Sequence, residues 1–199
     1  MPLAGLMNGC GSLVPGQGPP PDLYRLSPKH DFSGDLPTVT WQLLVETPAA
    51  PAGLDNTRIA LLRDPIQVQY YAKSNWIDRV PLMVQTLLVE SFEASGKIVS
   101  VGGNPANLRP DFVLSTQIRD FQADYYSGSG PSARVGIVAR LVTMRQRAIL
   151  GAKRFDATAP AKADQMPAIV EAFNNALGQV LDGIVGWTLT EGQASRNNT

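Results

Sequence analysis

The chain has 199 residues, 44% of them hydrophobic and 17% charged, which suffices for one domain with a sizeable core and rules out wholesale disorder. Lys plus Arg and Asp plus Glu both number 17, so the basic excess of a protein that works on phosphate backbones is missing and no nucleic-acid partner is expected. One cysteine and one histidine exclude an intrachain disulfide and leave a Cys/His metal centre without ligands; no cofactor is expected, and no apolar run approaches the roughly 20 residues of a spanning helix.

Residues 1–9 (MPLAGLMNG) are small and apolar, and Cys10 follows. Residues 11–21 (GSLVPGQGPPP) cannot bury enough surface to fold and read as an extended tether. A Cys after a small residue, closing an apolar run and opening a flexible linker, is how a bacterial lipoprotein signal ends. Met7 and Asn8 depart from the usual residues there, and no basic n-region precedes them, so residues 1–22 are expected to be a truncated signal plus tether, the signal starting upstream. The other reading of Cys10 is an exposed thiol in an extended arm.

Residues 38–46 (TVTWQLLVE), bounded by Pro37 and Pro48, are β-branched and aromatic and predict a strand. Residues 58–63 (RIALLR) predict a second strand, and 66–71 (IQVQYY) alternate as a half-buried third, with Pro65 enforcing a turn or edge between them. A helix follows: Pro81 suits its first turn, Val80, Val84, Leu87, Leu88 and Phe92 form an apolar stripe, and Gly96 closes it. Residues 98–101 predict a short strand. Residues 111–125 predict a long one in which the apolar phase switches from Phe112, Leu114 and Ile118 to Phe121, Ala123 and Tyr125, the mark of a bulge near Asp120. Strands over 134–145 and 149–158 complete a long-armed antiparallel meander with a flexible tip at 127–132. Asp164 then caps a last helix with a stripe from Met166 to Ile184 and Trp187 near its end. The expected fold is α+β: a mostly antiparallel sheet with two helices on one face, a domain over 23–189, and a disordered polar tail over 190–199.

Catalytic groups are sparse. His30 lies in a polar loop where solvation is the ordinary state, Cys10 has no base beside it, and Ser127–Gly130 joins two strands and opens no helix, so it forms no phosphate cradle. Asp120 and Asp124 read as solvated carboxylates on a strand. No catalytic constellation assembles, and enzyme activity is not expected. The aromatic residues carry more information. Tyr70, Tyr71 and Trp76 precede the first helix, and Tyr125 and Tyr126 flank the meander tip; such residues are favoured in interfaces and mark a candidate partner surface. Alternation turns one of Tyr70 and Tyr71 inward.

The run Leu62-Arg63-Asp64-Pro65, Tyr70-Tyr71-Ala72, Trp76-Ile77-Asp78-Arg79-Val80-Pro81 and Ser91-Phe92-Glu93, with Arg154-Phe155-Asp156-Ala157, the segment 170–177 and Trp187, resembles the ABC-type transport auxiliary lipoprotein family over roughly residues 24–187. The resemblance implies lipid attachment at Cys10 and a periplasmic, outer-membrane-anchored accessory subunit of an Mce-type system that moves lipids or other hydrophobic molecules. It also implies docking on an Mce-domain substrate-binding protein with its ABC permease and ATPase, and assembly as a homo-oligomeric ring. The competing readings are a cell-envelope module that binds protein or glycan, and a small-molecule binder using a groove between helix and sheet.

Overall fold

A computed structural model describes residues 19–104, 109–128 and 130–197. Eight strands and two helices follow in the order β1 (Asp22–Tyr24), β2 (Val39–Val45), β3 (Arg58–Leu62), β4 (Val68–Trp76), α1 (Val80–Ser95), β5 (Ile98–Gly102), β6 (Phe112–Asp124), β7 (Ser132–Thr143), β8 (Ala148–Pro160) and α2 (Met166–Asn197). The α+β class is as expected, and β6, β7 and β8 form the antiparallel meander.

The rest of the sheet differs from expectation. Four ladders are parallel, β1 with β4, β2 with β5, β2 with β6 and β3 with β6, so the sheet is mixed and not mostly antiparallel. The cause is the length of β6. Its first residues pair with β2 (Leu43 opposite Phe112) and its last with β3 (Ala60 opposite Gln122), both on one edge, while β7 covers the other. A bridge from Ala49 to Gln117 closes the gap between the two short neighbours. The sheet therefore forks around a single 13-residue strand.

β6 keeps Phe112, Leu114 and Ile118 in the core, shifts register between Ile118 and Asp120, and resumes with Phe121 and Ala123 buried. The extra residue, Arg119, is turned outward. One hydrophobic cluster joins these side chains to Trp41, Leu43 and Val45 of β2, to Val84, Leu88 and Phe92 of α1, and to Phe173, Leu177, Leu181 and Ile184 of α2. Both helices thus cover the same core.

α1 has Pro81 in its first turn and Gly96 at its end, in the left-handed region at φ 60°. α2 runs 32 residues to Asn197, so the tail expected to be disordered is helical over its described part. The stripe continues past Ile184 through Thr188, Leu189 and Gly192. Gly192 lies so close to Trp41 that a Cβ there would stand 2.6 Å from the indole, and Arg196 pairs with Asp111 at 2.8 Å. β1, which starts at Asp22 where the expected tether gives way to the expected domain, pairs with β4. Beyond it, residues 25–36 cross both helices as a strap: the backbone N–H groups of Ser27, Lys29 and Ser33 donate to Asn174, Ser91 and Asp182.

Candidate functional site

The predicted aromatic residues separate into four environments. Trp76, the last residue of β4, is 1% exposed, edge-on to Phe121 and Phe173 at centroid distances of 5.8 and 5.1 Å. It is a core residue, which removes it from the partner surface. The reason is local. β4 pairs Tyr70 with Ala60 of β3 but Asn75 with Arg58, so an irregular segment containing Lys73 at φ 57° intervenes and resets which side chains face inward.

Tyr71 and Tyr125 form the second group. Their hydroxyls lie 2.8 Å apart, and the Tyr125 hydroxyl donates to the Asp164 carboxylate at 2.5 Å. The Arg63 guanidinium stands 4.8 Å from the centre of the Tyr125 ring. Burial pushes the pKa of Tyr71 far above the ordinary tyrosine value, and its hydrogen bond to Tyr125 adds to that. Burial likewise raises Tyr125, reinforced by its bond to Asp164. Both phenols hold their protons as donors in a chain ending on a carboxylate, a latch between β4, the end of β6 and the start of α2. Asp164 was expected to cap α2; its Oδ1 instead receives the Tyr125 hydroxyl.

Tyr70 belongs to neither the core nor the latch. Its hydroxyl donates to the Gly53 carbonyl at 2.9 Å and the Arg58 guanidinium stacks over its ring at 3.7 Å, so it fastens the 51–57 loop. Tyr126 is the one of the five with an open ring, 42% exposed just beyond β6. Cys10 lies outside the described residues.

Several charged side chains pair with one another. On the outer face of the meander, Arg154 bonds both Asp156 and Asp120, with Arg134 3.6 Å from Asp120. Gly136 leaves the room they occupy: a Cβ there would stand 2.6 Å from Asp120 and 2.7 Å from Asp156. Sequence reading missed this network, and the spacing of Asp120, Gly136 and Asp156 shows it only once the register of the meander is known. His30 borders a groove of about 550 Å³ beneath the strap, also lined by Met83, Leu87 and Glu90. Among the described residues no group of three or more His, Cys, Asp or Glu side chains could hold a metal ion, and no helix is long and apolar enough to cross a membrane.

The chain is 25% identical over 195 residues to protein bll6063 of Bradyrhizobium diazoefficiens, covering 94% of this chain and 50% of that one; it spans about half the length of this curated relative. Its fold is similar to the crystal structure of protein XCC0632 from Xanthomonas campestris, of family DUF330, with a TM-score of 0.84 and 31% identity, over 88% of this chain and 99% of that one. The model of the ABC-type transport auxiliary lipoprotein component family matches residues 24–185, from the end of β1 through the forked sheet and the latch to the buried stripe of α2, and the chain belongs to that family.

Proposed function

We propose that this chain is a non-catalytic periplasmic subunit of an Mce-type ABC transport system that moves lipids or other hydrophobic molecules between membranes. Acyl chains on Cys10 hold it at the outer membrane, and the folded domain docks on the Mce-domain substrate-binding partner, which works with the permease and ATPase. The observation that carries this reading is the family match across nearly the whole domain. A single acyl chain gives only marginal membrane binding and stable anchoring needs a second signal, which the multiple acylation of a lipoprotein cysteine supplies; the Gly/Pro segment that follows then lets the domain reach its partner. A ring of copies is part of the proposal, and β8, 13 residues long and paired among the described residues with β7 alone, offers an edge for such assembly.

The test is fractionation together with co-purification. Globomycin treatment or Cys10→Ser in the full-length gene is expected to release the protein from the membrane fraction. An Mce-domain protein and a permease are expected among the partners recovered with the wild type. A wild type found free in the periplasm would refute the anchor, and recovery without any transporter subunit would refute the docking role.

A further inference from the structure

Among the described residues, the most exposed large aliphatic side chain stands at one end of the sheet. Ile66, in the β3–β4 turn, is 92% exposed, and Val68, the first residue of β4, is 53% exposed. Register places Val68 opposite Leu62 and Leu62 opposite Asp124, so the turn carrying Ile66 and the segment carrying Tyr126 leave the sheet at the same end. The carboxylates beside them are satisfied internally. Asp64 accepts from the backbone N–H groups of Ile66 and Gln67. Asp124 accepts from those of Tyr126 and Ser127 and from the Ser127 hydroxyl. Asp164 accepts from Tyr125. Paired in this way, the charges resist an apolar surface less than free ones would.

The tether is long enough to serve this end. β1 is parallel to β4, which runs away from the turn, and Asp22 stands opposite Ser74, six residues or about 20 Å along the strand from Val68. Eleven residues lie between Cys10 and Asp22, a reach of about 40 Å at most. We infer that Ile66, Val68 and Tyr126 form a membrane-contacting tip that dips into the bilayer interface to which Cys10 is fastened, orienting the domain on the membrane; this rests on the lipid attachment proposed above. The chemistry suits that depth, an aliphatic side chain for the acyl boundary and a tyrosine for the headgroup level. Two projecting turns with three apolar side chains are too small and convex for a stable protein interface, which needs about 800 Å² from each partner, whereas a lipid interface accepts side chains singly.

The test uses the full chain with Cys10→Ser and an N-terminal hexahistidine tag, held on vesicles of phosphatidylethanolamine and phosphatidylglycerol that contain a nickel-chelating lipid and brominated acyl chains. Ile66→Trp and Tyr126→Trp report on the tip, and Ile149→Trp reports on the opposite end, where Ile149 is 61% exposed and pairs with Val142. Apolar groups of interfacial segments reach about 5–10 Å into the headgroup and acyl boundary, so the emission each tip tryptophan adds to that of the parent chain, which has three of its own, should fall about twofold against unbrominated vesicles while that added by Ile149→Trp is unchanged. Adding Ile66→Asp should abolish the quenching of Tyr126→Trp. Emission unchanged at all three positions, or quenched equally at both ends, would overturn the inference. Palmitate labelling of the wild type at Cys10 tests the anchor separately: its failure would refute lipidation, while the quenching still decides the tip.

Discussion

The hydroxyl of Tyr71 on β4 donates to the hydroxyl of Tyr125, 54 residues further along the chain. The direction follows from the next bond: Tyr125 commits its own proton to Asp164, leaving only its oxygen lone pairs for Tyr71. Tyr71→Phe removes one neutral bond and should lower stability by about 1 kcal/mol. Tyr125→Phe also removes the bond to the carboxylate, strands the Tyr71 hydroxyl and should cost about 2–3 kcal/mol. Urea unfolding of both single variants and the double variant should show the double costing less than the sum, as expected for one chain of bonds.

The same two phenols predict an alkaline weakness. Both pKa values are raised in the folded state, burial being the leading cause, while unfolded tyrosines ionise near pH 10. Above that pH the unfolded chain releases protons that the folded one retains. The stabilisation is therefore complete below about pH 10 and declines as pH rises beyond it. Urea midpoints measured from pH 8 to 11 should fall more steeply for the wild type than for the Tyr71→Phe/Tyr125→Phe variant, and parallel curves would refute the assignment.

Trp76 should behave as a packing residue. Trp76→Ala deletes a ring in contact with Phe121 and Phe173 and is expected to cost about 3–5 kcal/mol. Trp76→Phe should cost much less, because it keeps an aromatic ring in place and removes an indole N–H that has no hydrogen-bond partner. Thermal melts of the two variants check this ordering.

Two glycines should respond in opposite directions. At Gly136 a methyl group meets the Asp120 and Asp156 carboxylates at 2.6 and 2.7 Å, so Gly136→Ala should break the bonds of Arg154 and destabilise by about 1–3 kcal/mol. Gly178, within α2, has nothing within 4 Å of its would-be Cβ, and Gly178→Ala should stabilise by up to about 1 kcal/mol through helix propensity. Paired denaturation curves distinguish the two.

What the sequence disclosed depended on how local the cause was. α1 was legible because Pro81, the apolar stripe and Gly96 act within one turn of where they stand. The irregularity next to Asp120 was legible because it flips the phase of neighbouring residues. Parallel pairing of β2 and β3 with β6 was not, since it depends on which distant strand fills which part of a long edge. Trp76 was misassigned for a related reason: the irregular stretch around Lys73 falls between the two halves of β4 and has no apolar pattern to betray it. The last turns of α2 look polar in sequence, and the approach of Gly192 to Trp41 and the pairing of Arg196 with Asp111 show what holds them. Family resemblance supplied what patterning could not, the transport context.

The parallel pairing of β1 with β4 has a mechanical consequence. A pull on the chain at Pro19 along the strand axis would load the β1–β4 hydrogen bonds together, in shear, and would not peel them one at a time. Behind them, the three bonds of the strap to Asn174, Ser91 and Asp182 would carry the remaining tension into both helices. A domain tugged by its leash would thus spread the force across its whole framework before any single strand gave way.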